Sequence, residues 1–398
     1  MTGSTDPSTR REGPLPRQAE VVVVGGGAMG TSVAFHLAEA GADVLLVEAF
    51  ELASGSSGKP IGGVRAQFSD PANIDLGNRS LALYEDFANR PGADIGLQQP
   101  GYLFLLPADE DVAVFTESVA MQNARGVASR MLTVDEAWRL NPYIDPSRFA
   151  GAAYAARDGF ARPHAVVHGY AEGAERHGAT IRTHCAVTDI EVRGEDVVAV
   201  WTEQGRVRTS AVVLCTGAWT RRAGELAGLD LPVDPYRRQI GFTPPLDPAP
   251  PRIPFTIDYG STFYFHNAEP DGLLLGIADP DTPIAFDTEY DPGWLPLLQR
   301  AAWACAPALG DAAIAHGWAG LYEMTPDRNA LIGEAAGLSR VLYAAGFSGH
   351  GFLQAPAVGE VVRDLYTGRE PAIDVSGFSA DRFASGSSAP GNHETYIV

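Results

Sequence analysis

Six residues near the start of the chain, Gly25-Gly26-Gly27-Ala28-Met29-Gly30, constrain its fold more than any other segment. They follow EVVVV, Glu20 to Val24, a β-branched run that reads as a short buried strand. They precede TSVAFHLAEAG, where Val33, Ala34, Leu37 and Ala38 share one helical face and Gly41 ends it. A second β-rich run, DVLLVE, comes next. Strand, glycine turn, helix and strand make one βαβ unit. Each glycine of the G-x-G-x-x-G spacing has a use. Gly25 permits the tight turn, Gly27 lets backbone approach a pyrophosphate, and Gly30 lets helix and sheet pack closely. The helix opening at Ala28 and Met29 then offers unpaired N–H groups and a partial positive charge to phosphate. Glu48, at the end of the second strand, is placed to accept from both ribose hydroxyls. It would repel a 2′-phosphate, which disfavours NADP.

The fingerprint alone does not separate FAD from NAD. The next segment, Ala53 to Arg65, reads ASGSSGKPIGGVR. Its small residues let backbone pass close to a flat ligand, and the hydroxyls of Ser56 and Ser57 suit phosphate or ring oxygens. Two cations, Lys59 and Arg65, close it. Lys59 is the only lysine in the chain, so arginine supplies the rest of the positive charge.

The chain has 398 residues, enough for two interleaved domains, and a net charge of −20. Such an excess of acid disfavours nucleic acid and anionic membrane surfaces. No apolar stretch approaches a transmembrane span, and the N-terminus has no apolar signal region, so no membrane insertion is expected. The three cysteines have no CxxC spacing, which argues against zinc and dithiol chemistry and for a reducing cytoplasm.

Past the first unit, the chain alternates helical patterns with β-runs. GYLFLLP reads as a strand, and Ala165 to Gly178 as a helix. Two strands follow within residues 180–205, and VRTSAVVLCTGAW is a strand entering a glycine turn. Prolines from Pro232 to Pro254 mark a crossing into another domain. The strand VLYAAGF, the loop SGHG and a helix from Phe352 to Tyr366 close the pattern.

The order GGGAMG, VLLVE, ASGSSGK and GGVR resembles the D-amino-acid oxidase superfamily of FAD enzymes. The likeness is nearest to the sarcosine oxidase, glycine oxidase and dimethylglycine dehydrogenase branch. Three later segments carry the same resemblance. Ala186 to Ile190 matches the adenine-side strand, with Val187 offering backbone to the adenine. Leu214 to Trp219 matches an ATGAW turn, bringing Thr216, Gly217 and Trp219 to the cofactor. Gly346 to Phe352 reads GFSGHGF, the flavin loop, with Gly346, Gly349, His350, Gly351 and Phe352 as contacts. In the family this helix end meets the isoalloxazine edge where negative charge builds during reduction, an interaction worth about 0.3–2 kcal/mol.

The departures are as informative. Some relatives attach FAD through a cysteine two residues before the tyrosine of a C-x-Y-x-x-T-P-D-like segment. Here Gly320 holds that place before Tyr322, so the FAD is expected without that bond. Leucines at 274 and 353 replace the lysines that sarcosine oxidases use for oxygen and for the substrate carboxylate. Oxygen use is then slow or relies on another cation such as Lys59. Arg65 survives at the carboxylate-binding position, where a guanidinium grips bidentately; the alternative is an arginine packed behind the flavin. Tyr264 and Tyr322 fall on segments that line the substrate side, and each reads equally well as an amphipathic core residue. His266 shares the strand face of Tyr264 and is a candidate base. At least one of Arg237 and Arg238 is expected to be structural.

The expected fold is α/β with an α+β substrate domain. A Rossmann-like FAD-binding domain is assembled from residues 19–85, 150–235 and 320–383. A mixed-sheet substrate domain takes 86–149 and 236–319, and flexible tails take 1–18 and 384–398. The resemblance implies oxidation of a C–N bond in an amine or amino acid by hydride transfer to flavin N5, followed by hydrolysis of the imine. Arg65, Tyr264, Tyr322 and His350 are the expected catalytic-side residues, and oxygen or an electron-carrier protein is the acceptor. Two alternatives stand: a 2-hydroxy-acid dehydrogenase, which needs a histidine base, and a flavin subunit of a larger dehydrogenase.

Overall fold

The computed structural model describes residues 13–59 and 61–384. Most of both expected tails therefore lies outside the described residues. The first tail is already attached at its end: the Arg208 N–H donates to the Arg17 carbonyl at 3.0 Å, and Gln18 bridges Arg208.

The VVVV run forms the strand Val21–Val24, buried on both faces, as befits a central parallel strand. It leads through the helix Ala28–Glu39 to Val44–Val47. Six strands make this sheet, in the order Leu331–Glu334, Val341–Ala345, Val212–Leu214, Val21–Val24, Val44–Val47, Thr180–Arg182. All pairs are parallel except the outermost, Leu331–Glu334 on Val341–Ala345. The chain leaves Val21–Val24 to one side and returns on the other, so the strand order reverses there. Open sheets of this kind bind ligands at the carboxyl ends beside that reversal.

Helices Ala28–Glu39, Pro163–Arg176 and Gly351–Thr367 pack on one face around Val33, Phe35, Tyr170 and Val358. An antiparallel meander, Val187–Arg193, Asp196–Thr202 and Gly205–Arg208, covers the other. The segment read as two strands thus holds three: Thr180–Arg182 joins the parallel sheet before the hairpin begins.

The helix Gly351–Thr367 contains Pro356, which has no N–H for the Phe352 carbonyl. The hydroxyl of Tyr84 takes over, donating to that oxygen at 2.6 Å. This ties the flavin-loop helix to Pro71–Glu85, whose own start is set by Pro71 and by the Asp70 carboxylate accepting from Ala72 N–H at 2.9 Å.

The second sheet has eight strands: His316–Met324, Asp234–Phe242, Gly272–Ile277, Tyr264–Ala268, Phe255–Asp258, Tyr102–Leu106, Gly151–Ala155 and Ser129–Leu132. Only Phe255–Asp258 and Tyr102–Leu106 run parallel. One face packs on the helix Leu295–Cys305 through Phe263, Phe265 and Leu298. The other presents Tyr102, Ile240, Phe255 and Tyr264 toward the parallel sheet. This sheet takes in Gly151–Ala155 and reaches Met324, so it oversteps the expected crossings at 150 and 320. Glycine and proline punctuation marks where a strand pauses, not which sheet it joins.

Among the described residues, no helix is long and apolar enough to cross a membrane.

Candidate functional site

A cavity of about 960 Å3 lies between the two sheets. Gly25 to Met29, Glu48 and Val187 line it on the parallel-sheet side; Tyr102, Arg238, Phe255 and Tyr264 line it on the other.

The first glycine turn is dictated by sterics. Gly25 has φ +111°, closed to most side chains, and a Cβ on Gly30 would overlap the Gly25 carbonyl oxygen. A Cβ on Gly27 would stand 2.8 Å from Ser57 Oγ. That hydroxyl accepts from the Ala28 N–H at 2.8 Å and so ties the ASGSSGK loop to the helix start. Ser56 Oγ is buried without a partner at the cavity wall. Glu48 is held by backbone: Oε2 accepts from Gly26 N–H at 2.6 Å, and Oε1 from Phe50 N–H at 2.8 Å. Each carboxylate oxygen keeps a further lone pair for a hydroxyl.

The second glycine turn comes at the start of Gly351–Thr367. Gly346, Ser348 and Gly349 all have positive φ. A Cβ on Gly349 would lie 2.6 Å from the Tyr322 ring, so the glycine is what lets tyrosine rest on the loop. Beside it, Glu323 stands between the Gly217 and Gly351 turns; a Cβ on either would come within 3.0 and 3.2 Å of its carboxylate. Burial pushes the Glu323 carboxyl up to about 7, against a weak bond from the Phe347 N–H at 3.4 Å.

Arg65 is 3% exposed. Its Nη1 donates to the Gln67 carbonyl, and its carbon lies 4.3 Å from the centre of the Phe68 ring. Nη2 lies 3.2 Å from His350 Nε2. A guanidinium only donates, so this histidine nitrogen accepts. Behind them Asp158 is fully buried, accepting from Ala66 N–H at 3.1 Å and Gln67 Nε2 at 3.3 Å. Burial pushes its carboxyl up to about 7. Tyr102 stacks on Phe255 with centroids 4.3 Å apart, and desolvation holds the Tyr264 and Tyr322 hydroxyls above the usual phenol range.

The structure gathers nearly every residue singled out from sequence around this cavity. Arg65, Tyr264, Tyr322 and His350 line it, as do Gly25, Gly27, Ala28, Met29, Glu48, Ser56, Ser57, Lys59, Val187, Thr216, Gly217, Trp219, Gly349, Gly351 and Phe352. Gly30 and Gly346 do not. Gly30 faces the Gly25 carbonyl and Gly346 faces Thr325 Cγ2, so both permit close packing behind the wall. His266 is also off the cavity, sandwiched between Phe160 and Phe255 at 4.6 and 4.7 Å. Its ring donates Nδ1–H to the Asn267 carbonyl at 2.7 Å, and burial lowers its pKa to about 4. Sequence reasoning missed Glu323, Asp158 and the position of Arg238. The period-2 alternation of Tyr236, Arg238 and Ile240 was the available signal for the last.

The family model for FAD dependent oxidoreductases, DAO, matches residues 20–365. The chain belongs to the DAO family. Among similar proteins, the 4-methylaminobutanoate oxidase (formaldehyde-forming) of Paenarthrobacter nicotinovorans is 31% identical over 384 residues, 93% of this chain and 46% of that protein. The chain spans less than half the length of the first such relatives. Glycine oxidase of Geobacillus kaustophilus is 29% identical, over 92% of this chain and 98% of that one. The crystal structure of L-proline dehydrogenase from P. horikoshii superposes with a TM-score of 0.87 at 32% identity, covering 94% of this chain and 100% of that one.

The residues of this DAO chain fit the cofactor of its family. The first turn is a cradle that any Cβ would fill, Ser56 Oγ is a buried donor without a partner, and a single cavity joins both glycine turns.

Proposed function

We propose that the protein oxidises a C–N bond of an amine or N-alkyl amino acid. The observation that carries this reading is one cavity joining a dinucleotide turn to an aromatic compartment that holds Tyr264, Tyr322, Arg65 and Arg238. When bound, FAD supplies the two-electron chemistry by accepting hydride from the substrate carbon. Gly25, Gly27, Ser56, Ser57 and Glu48 hold its diphosphate and ribose end, and Gly349 to Phe352 its ring end. With no side chain at 320, the FAD is held without the cysteine bond of some relatives.

The chain's own residues do the remaining work. Tyr102, Ile240 and Phe255 exclude water and favour the neutral amine, since desolvation lowers an amine pKa. The tyrosines and arginines orient the substrate, and positioning supplies much of the rate. The imine hydrolyses on meeting water. Oxygen or a carrier protein then takes the electrons. The three cysteines are free and buried, which suits a reducing cytoplasm.

The 2-hydroxy-acid reading is weaker. It needs a base at the hydroxyl, yet His266 stands off the cavity and His350 Nε2 accepts from Arg65. The deciding experiment is anaerobic bleaching of the flavin by N-methyl amino acids, cyclic amino acids and 2-hydroxy acids. Bleaching by hydroxy acids alone overturns the C–N assignment.

A further inference from the structure

Glu323 lines the cavity, and among the described residues no cation pairs with it. It belongs to the strand His316–Met324, where it sits opposite Pro235. Its Oε1 lies at the start of the helix Gly351–Thr367: a Cβ on Gly351 would stand 3.2 Å away, and the Phe347 N–H donates to it weakly at 3.4 Å. Its Oε2 lies at the Gly217 turn, 3.0 Å from where a Cβ on that glycine would stand. The helix has no acidic residue in its own first turn, and His350 gives it no side-chain cap. The carboxyl at this helix start is therefore supplied by a different strand. It is half-buried, in the wall of the cavity.

A helix start favours one nearby anion by about 0.3–2 kcal/mol. Two groups share this one. The flavin edge held at Gly349 to Phe352 gains a negative charge when the ring receives a hydride, and Glu323 carries one when ionised. Two anions at one site raise each other's affinity for a proton. Burial already pushes the Glu323 carboxyl up to about 7, so added charge acts on it near neutral pH.

The neighbours leave that proton to Glu323. Burial, and then the Glu323 charge itself, hold the Cys215 thiol up; desolvation holds the Tyr322 hydroxyl up. On the paired strand Asp234–Phe242, Asp234 meets Arg221 at 3.0 Å and Arg237 meets Asp287 at 2.6 Å. Arg238 lines the cavity 5.4 Å from the Tyr322 ring centre, and Lys59 lies over Gly320. His350 is a second proton acceptor in the flavin loop, and its Nε2 accepts from Arg65.

We infer that Glu323 is a proton-binding partner of the flavin: reduction of the ring draws one proton from water onto the Glu323 carboxylate, and the ionised carboxylate reciprocally holds the flavin potential down. The hydride brings two electrons and one proton and leaves the ring with one negative charge. With the carboxylate then protonated, ring and carboxyl together carry the same single charge as before. Reoxidation passes the hydride equivalent to the acceptor and returns the proton to water. This rests on the ring end lying at Gly349 to Phe352, and not on which substrate is oxidised.

The test measures the flavin midpoint potential by dye-mediated reduction of FAD-loaded wild type and Glu323→Gln from pH 5 to 9. The absorbance of the reduced ring and the FAD affinity are read on the same samples. Each proton taken up with the two electrons changes the equilibrium tenfold per pH unit, about 30 mV. Wild type should take up one proton at pH 5 and two in a window opening at about 7. Glu323→Gln should take up one throughout. The two potentials should agree at pH 5 and part above 7, the variant being easier to reduce at pH 9 by about tenfold or more, within the usual range of coupling between two sites. Parallel potentials overturn the inference, and a loss of FAD affinity alongside them would place the carboxyl against another part of the cofactor. One-proton uptake by wild type across the whole range also overturns it. So does a reduced-ring spectrum that changes with pH in the same window, since the second proton then sits on the ring. These last two outcomes need no variant and decide the matter even if Glu323→Gln does not retain FAD. Dyes supply the electrons, so failure of the C–N reading would leave every one of these results unchanged.

Discussion

Gly320 lies directly beneath the stem of Lys59: a Cβ at position 320 would come 2.7 Å from the Lys59 Cβ. The chain's single lysine thus fills the space a side chain at 320 would need. Its carbonyl is fixed in turn by the Trp318 indole N–H at 3.0 Å. Acid precipitation of the loaded protein is expected to leave all the flavin in the supernatant. A yellow pellet would show a covalent link and defeat the non-covalent assignment. Gly320→Ala should displace Lys59 and lower the melting temperature by a few degrees, the scale of about 1 kcal/mol.

Glu48 joins two backbone amides across the glycine turn, Gly26 and Phe50. Glu48→Ala leaves both without their acceptor. Apoprotein stability should fall by about 1–3 kcal/mol, and FAD affinity by tenfold or more, roughly the loss of one charged hydrogen bond. Calorimetric titration with FAD checks this. Equal affinity in the variant would remove Glu48 from the cofactor site.

Gly30→Ala puts a methyl group onto the Gly25 carbonyl oxygen. Helix and strand must separate, at a cost of about 1–3 kcal/mol. The purified variant should be colourless or lose its flavin on gel filtration. A stably yellow Gly30→Ala protein would mean that the turn tolerates opening.

Asp158 gives stability a pH dependence. Its folded-state value of about 7 lies above the ordinary value, about 3.9, of an unfolded aspartate. The folded protein therefore binds that proton more tightly, and the associated stability is complete below about pH 4. It is lost as pH rises through about 7. Glu323 adds a slope of the same sign. Asp158→Asn removes one contribution, so its melting temperature should fall less than that of wild type between pH 5 and 8. Parallel curves would refute the assignment.

His266→Phe keeps a flat ring between Phe160 and Phe255 and removes the only candidate base on that strand. Turnover of an amine substrate should stay within about twofold of wild type, since no proton transfer through His266 is required. A loss of about 100-fold, the usual contribution of a general base, would restore the hydroxy-acid reading.

Local chemistry carried the first part of this protein into view. The GGGAMG turn, the loop from Ala53 to Arg65 and the GFSGHGF helix start depend on φ angles and close backbone approach that only their own residues permit, so they are written locally. The strands failed to reveal their sheet because pairing partners lie far apart in sequence. Gly151–Ala155 joins Tyr102–Leu106 and Ser129–Leu132, not the parallel sheet that comes before and after it.

The amino-acid order therefore determined the cofactor cradle and the family. Tertiary structure decided which of two adjacent arginines faces the cavity, that His266 is walled off by aromatic rings, and that Glu323 and Asp158 are desolvated acids. Burial and charge pairing are sums over neighbours brought in from distant segments, and no window of sequence contains them.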